Sequence, residues 1–85
     1  MYRVWYSPKA RKQLGQLPDD VGLRMAEAIH ELCEWPHHRQ DVKPLAGAYR
    51  GHWRLRVGAY RAVFTVDDAA REIEIARIAP RGQVY

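Results

Sequence analysis

The segment that decides the fold runs from His52 to Arg61 and reads HWRLRVGAYR. Its first half alternates apolar and charged side chains, which is the two-residue period of a strand with one buried face. Gly58 and Ala59 then predict a two-residue hairpin loop, because glycine at the first central position suits a type II′ turn. The segment therefore predicts two antiparallel strands, the second of which covers residues 60–66.

Three arginines lie within this hairpin. Arg54 and Arg56 leave the first strand on the same side, because side chains two residues apart share a face. If the hairpin register places Arg61 on that side too, three permanent cations form one patch that is suited to bind phosphate. The alternative is a solvated sheet face whose arginines pair with Glu72 and Glu74 on the following strand.

Composition limits the chain to one small domain. Its 85 residues suffice for a single hydrophobic core, so we expect one domain over residues 1–85. No apolar run approaches the roughly 20 residues that cross a bilayer, and the N-terminus lacks the apolar stretch of a signal peptide. We therefore expect a cytoplasmic protein with no membrane partner. Cys33 is the only cysteine, which excludes an internal disulfide, and we expect neither a metal ion nor another cofactor.

Charge is distributed unevenly along the chain. The net charge is +4; residues 1–48 carry seven Lys/Arg against six Asp/Glu, whereas residues 49–85 carry seven arginines against four acids. Every cation of the second part is thus an arginine, whose planar guanidinium binds phosphate through paired N–H groups and stacks on bases. A phosphate-rich partner such as RNA is the first interpretation, and an acidic protein partner is the second.

A strand and two helices are predicted in the first part of the chain. Residues 2–6 alternate as a strand does, and Ser7 followed by Pro8 is typical of a helix start. Apolar spacing then predicts a helix to about residue 17 and a second helix that ends near residue 35. Together these helices form a helical hairpin.

A loop and three strands are predicted in the second part. Residues 36–47 are polar and contain two prolines, which predicts a loop. Three antiparallel strands follow, over about 49–57, 60–66 and 71–78. The expected class is α+β: an N-terminal strand, a helical hairpin and an antiparallel meander in a small sheet, with the helices on one face.

Three short motifs carry a resemblance to a known family. They are KPLAG at residues 43–47, VGAYR at 57–61 and RGQVY at 81–85. Their order resembles the RelE/ParE superfamily of toxins from bacterial toxin-antitoxin pairs. The RelE branch implies an endoribonuclease that cleaves messenger RNA at the ribosome without a metal and is neutralised by a cognate antitoxin in a hetero-oligomeric complex. The alternatives are a ParE-like inhibitor of DNA gyrase and a RelE-fold protein that binds partners without catalysis.

The same resemblance implies roles for five residues. Arg54 and Arg56 occupy strand positions where RelE enzymes often carry lysines, one of them proposed as the general base. Arg61 matches the phosphate-contacting arginine of the family, Arg81 the C-terminal arginine, and Tyr85 the terminal tyrosine that orients or stacks on the substrate. The four arginines are therefore expected to bind RNA, and all five residues to form the catalytic site.

The role of general base has no obvious residue among these five. Cleavage through the 2′-hydroxyl needs a proton acceptor, and a guanidinium at Arg56 is a poor one. Histidine titrates near neutrality, and alternation places His52 on the face of Arg54, so His52 is a possible acid or base. His37 and His38 in the loop are further candidates. We favour catalysis by the arginines alone, through positioning and charge stabilisation.

The three tryptophans admit two interpretations. Trp5, Trp35 and Trp53 could be platforms on which bases stack. However, Trp53 lies in the apolar phase of its strand and Trp35 closes a helix, so we expect packing in the core or contact with the antitoxin.

Overall fold

The computed structural model describes residues 1–80, and this part of the chain contains five strands and two helices. The strands are β1 (Arg3–Tyr6), β2 (Asp41–Pro44), β3 (Trp53–Val57), β4 (Tyr60–Asp67) and β5 (Glu72–Pro80). The helices are α1 (Pro8–Gly15) and α2 (Asp19–His30), and short 3₁₀ turns cover Glu31–Glu34 and Gly47–Tyr49. The predicted α+β class is confirmed.

All five strands belong to one mixed sheet with the order β1-β5-β4-β3-β2. β3, β4 and β5 form the predicted antiparallel meander. β1 completes the sheet by pairing parallel to β5. The two helices follow β1 at one edge of the sheet and precede β2 at the other edge.

The prediction that residues 36–47 are only a loop is wrong. β2 lies within them and pairs antiparallel with β3, so that Val42 is opposite Leu55 and Pro44 is opposite Trp53. β2 is a short edge strand, and such strands tolerate polar residues and proline because one side of their backbone needs no partner in the sheet. The polar, proline-containing composition of residues 36–47 is therefore compatible with an edge strand as well as with a loop.

The hairpin loop between β3 and β4 has the predicted geometry. Gly58 has a φ of 58°. Arg71 is the only non-glycine residue among those described with a positive φ, so Ala59 has a negative one. A positive φ followed by a negative one is the pattern of a type II′ turn.

Both helices pack on the same face of the sheet. Met25 and Ile29 of α2 and Ala10 of α1 are fully or almost fully buried in one cluster with the inward-facing residues of the meander, which are Leu55, Ala62, Phe64, Ile73, Ile75 and Ile78. In the described part of the chain, the opposite face is therefore left without a helix.

An aromatic cluster closes one end of this core. The ring of Trp35 lies 4.9 Å from that of Trp53 and 5.7 Å from that of Phe64, both in edge-to-face geometry. This arrangement adds favourable ring contacts to the burial of apolar area. Trp35 and Trp53 thus pack against the core, whereas Trp5 is 43% exposed.

Side-chain hydrogen bonds fix α1 to β5. The hydroxyl of Ser7 accepts from the amide of Ala10 at 3.0 Å, as an N-cap does, and donates to the carbonyl of Ala76 at 2.9 Å. Gln13 accepts from the amide of Ile78 through its side-chain carbonyl at 2.8 Å. Both the start and the second half of α1 are therefore held against the second half of β5.

Replacing Phe64 should test the importance of the aromatic cluster. Phe64 is fully buried, and truncation of such a residue leaves a cavity, so Phe64→Ala should lower the free energy of unfolding by about 3–5 kcal/mol. Leu23→Ala is the matched control, because Leu23 is 63% exposed and should change it by less than about 0.5 kcal/mol. Urea unfolding followed by tryptophan fluorescence measures both, and equal effects would contradict this account of the core.

Candidate RNA-binding site

Three predicted arginines lie on one face of the sheet. Arg56 lies directly opposite Arg61 in the register of β3 and β4, and Arg54 lies opposite Val63. Directly opposite residues share a face, and Arg54 and Arg56 are two residues apart on β3. All three side chains therefore leave the sheet on the side away from the helices.

A fourth arginine joins them from β5. Val63 lies between Arg54 of β3 and Arg77 of β5 and is directly opposite both of them. Arg77 therefore leaves the sheet on the same side as the arginines of the hairpin. We call this group the arginine patch, which consists of Arg54, Arg56, Arg61 and Arg77.

A β-bulge places Arg77 on this face. Val63 pairs with Arg77, but the next residue, Phe64, pairs with Ile75, so that Ala76 is an extra residue on β5. Arg77 was not among the site residues predicted from the sequence, although a signal was present: Ile75 and Ile78 are three residues apart, whereas strict alternation requires an even spacing.

The acid that pairs with Arg54 of the patch is not Glu72 or Glu74, which the alternative interpretation named. Arg54 Nη1 lies 3.4 Å from Asp41 Oδ1 on the edge strand β2, and the Arg54 side chain is only 12% exposed. Glu72 and Glu74 lie at the other end of β5, and Glu72 forms an ion pair with Arg3 of β1. Arg54 therefore pairs with an acid on the strand beside it rather than with Glu72 or Glu74.

A cleft of about 330 Å³ opens beside the patch. The ring of His52 lies 6.2 Å from that of Tyr49 in edge-to-face geometry. Val63 and Arg77 belong to both the cleft and the face that carries the patch, so the two are continuous. His52 thus lies beside the patch, on the side that alternation indicated. The residues that line the cleft are Lys9, Tyr49, His52, Val63, Ala76 and Arg77.

Two nitrogen atoms at this site are buried without a hydrogen-bond partner among the described residues, namely His52 Nδ1 and Arg77 Nε. Arg54 Nη1 is buried too, and its contact with Asp41 is a long ion pair rather than a hydrogen bond. Buried polar atoms in folded proteins almost always have a partner, because leaving one unpaired is unfavourable. A polar ligand that reached these atoms could supply the missing hydrogen bonds, and the guanidinium groups at the site favour an anion.

The other candidate histidines lie elsewhere. His38 stacks on Trp35 with 5.1 Å between the ring centroids, and His37 lines a separate cavity beside Cys33.

Within residues 1–80, no three His, Cys, Asp or Glu side chains come together as a metal site would require. Nor does that part of the chain contain a helix long and apolar enough to cross a bilayer.

Two predicted site residues, Arg81 and Tyr85, lie outside the described residues. Their roles at the site stay predictions, as do the roles of Arg54, Arg56, Arg61 and His52. The geometry brings the last four together around one surface, and it adds Arg77 to them.

Comparison with known proteins identifies the family. Residues 4–85 match the family model of the ParE toxin of the type II toxin-antitoxin system, parDE. The chain is 32% identical to Toxin RelE of Mycobacterium tuberculosis over 85 residues, which cover 99% of this chain and 86% of that protein.

Solved structures agree with this match. The toxin-antitoxin complex RelBE2 of Mycobacterium tuberculosis contains a chain with a TM-score of 0.82 and 30% identity, covering 94% of this chain and 98% of that one. The archaeal RelE-RelB complex of Pyrococcus horikoshii OT3 contains a chain with a TM-score of 0.76 and 30% identity, and the match covers 98% of each of the two chains. Together with the motifs and the fold, these matches show that the chain is a toxin of the RelE/ParE family of type II toxin-antitoxin systems.

Proposed function

We propose that this chain is a RelE-like endoribonuclease that acts in the cytoplasm, where it cleaves messenger RNA at the ribosome and so inhibits translation. The arginine patch supports this proposal most directly, because four guanidinium groups on one sheet face match the repeated charge of an RNA backbone. Similarity to a protein named Toxin RelE supports the RelE branch.

The chemistry would be attack of a 2′-oxygen on the neighbouring phosphorus. The bond between the 2′-oxygen and phosphorus forms, and the bond between phosphorus and the 5′-oxygen breaks, leaving a cyclic phosphate and a 5′-hydroxyl. The 2′-hydroxyl gives its proton to solvent, and the leaving 5′-oxygen takes a proton from solvent. Arg56 and Arg61, which lie directly opposite each other, are suited to stabilise the negative charge that develops on the phosphate oxygens.

The proposed partner is a cognate antitoxin, bound in a hetero-oligomeric complex. The similar chains from Mycobacterium tuberculosis and Pyrococcus horikoshii OT3 were solved as complexes of RelE and RelB proteins. A cationic sheet face is also a suitable surface for an acidic segment of such a partner. Binding there would block access of RNA to the patch.

Inhibition of DNA gyrase is the second candidate function. The observation that favours it is the description of the matching family model, which names the ParE toxin. The two functions affect different syntheses in the cell, so they can be separated by experiment.

Expression of the chain without its antitoxin should arrest translation. Pulse labelling of protein and DNA synthesis measures the effect, and protein synthesis should fall first. Arg61→Ala should weaken the arrest, with cleavage slower by about 10²–10³-fold if Arg61 stabilises the transition state. Arg11→Ala on the exposed surface of α1 is the matched control. A fall in DNA synthesis with translation intact would favour the gyrase function instead.

Binding of single-stranded RNA should weaken with salt. Each neutralised phosphate contributes a slope of about 0.7 log units of affinity per log unit of salt concentration. Arg61→Ala should reduce the slope by about one such contribution, whereas Arg11→Ala should leave it unchanged. Fluorescence anisotropy over a salt series measures the slope, and equal slopes for Arg61→Ala and the parent chain would exclude a phosphate contact by Arg61.

The pH dependence of cleavage should distinguish a histidine base from catalysis by the arginines alone. We expect the single-turnover rate on ribosome-bound RNA to keep rising from about pH 6 to 9, as the 2′-hydroxyl loses its proton without a side-chain base. His52→Ala should leave the shape of this profile unchanged at saturating substrate. A plateau near neutral pH that disappears in His52→Ala would instead identify His52 as the base.

A further inference from the structure

We propose that the cleft beside the arginine patch is a nucleotide subsite, which holds the base next to the scissile phosphate. This inference rests on the proposed function and adds a second recognition surface to it. Tyr49 and His52 would contact the base, and Lys9 and Arg77 would contact the phosphate or sugar of the same nucleotide.

The position of the cleft is the first argument. Val63 forms part of its lining and lies between Arg54 and Arg77 on the patch. A strand of RNA whose phosphate lies on Arg61 and Arg54 can therefore place an adjacent nucleotide in the cleft without crossing another element of the described chain. The volume of about 330 Å³ lies at the lower end of the range of about 300–1,000 Å³ for small-molecule sites.

The chemistry of the lining is the second argument. Tyr49 and His52 present rings at right angles, 86° between their planes, so a base can stack on one ring and meet the edge of the other. Lys9 and Arg77 add two cations from different elements. Aromatic rings combined with cations are typical of sites for single-stranded nucleic acid, where the rings contact bases and the cations contact the backbone.

The unpaired nitrogens are the third argument. Arg77 Nε and His52 Nδ1 are both buried and both lack a hydrogen-bond partner within the described chain. Both residues line this cleft. A phosphate oxygen beside Arg77 and a polar edge of a base beside His52 would satisfy them.

The cleft is also held in shape before any ligand binds. Ser7 joins the start of α1 to the bulge of β5 through its bonds to Ala10 and Ala76. Lys9 lies between Ser7 and Ala10 in sequence, so the same bonds fix the turn that presents Lys9. A preformed site avoids the entropic cost of ordering its walls on binding.

The test removes the base from the RNA and the ring from the protein. The probe is a short single-stranded RNA with 2′-fluoro groups, which cannot be cleaved, together with a series that lacks the base at one position in turn. Affinity is measured by fluorescence anisotropy for the parent chain and for Tyr49→Leu. Trp5→Leu is the matched control, because Trp5 is an exposed ring on β1, which is separated from β4 by β5.

We expect one abasic position to lower the affinity of the parent chain by about tenfold or more. Tyr49→Leu should bind the intact RNA about tenfold more weakly and should no longer distinguish the two RNAs. Trp5→Leu should behave as the parent chain does. Equal affinity of the parent chain for intact and abasic RNAs would overturn the subsite, and so would a loss of discrimination in Trp5→Leu but not in Tyr49→Leu.

A second measurement tests the cations and separates this inference from the proposed function. On ribosome-bound RNA, Lys9→Gln and Arg77→Gln should each raise the concentration needed for half-maximal cleavage by about fivefold or more, without changing the pH profile. Lys12→Gln, one turn along the exposed side of α1, should not. Cleavage by the parent chain with no effect of Lys9→Gln or Arg77→Gln would reject the subsite alone, whereas absence of cleavage by the parent chain would reject the proposed function.

Discussion

The pairing register of three neighbouring strands, β3, β4 and β5, is the constraint on which the rest of the structure depends. Alternate side chains of a strand face opposite sides, so a slip of one residue between β3 and β4 would exchange the core residues Leu55 and Ala62 with the arginines beside them. Burying a guanidinium without a partner is strongly unfavourable. The same register thus specifies both the core and the cationic face. A change of register would disrupt both of them.

The bulge at Ala76 extends this constraint to β5. Without the extra residue, the alternation that buries Ile73 and Ile75 would direct Arg77 into the core and Ile78 to the outside. The bulge instead buries Ile78 and releases Arg77 to the other face. Its freed carbonyl is bonded to Ser7, so the irregularity that positions Arg77 also anchors α1. Fold and site therefore share one local feature.

Much of this arrangement could be predicted from the sequence, since the hairpin at residues 52–61 combines strong alternation with a glycine turn. That pattern gave the meander, the turn type and the common face of Arg54 and Arg56. The edge strand β2 was missed because its proline and polar residues are equally typical of a loop. Arg77 was missed because assigning its face requires the bulge, which depends on pairing with β4 and not on local preference.

The direct opposition of Arg56 and Arg61 has a further consequence for the molecule alone. Like charges at such a cross-strand pair repel one another and weaken the folded state. Dissolved ions screen this repulsion, so added salt removes one source of instability in the sheet while it weakens the proposed binding of RNA. A phosphate of the proposed RNA ligand, bound between Arg56 and Arg61, would offset the same repulsion and so stabilise the fold as well.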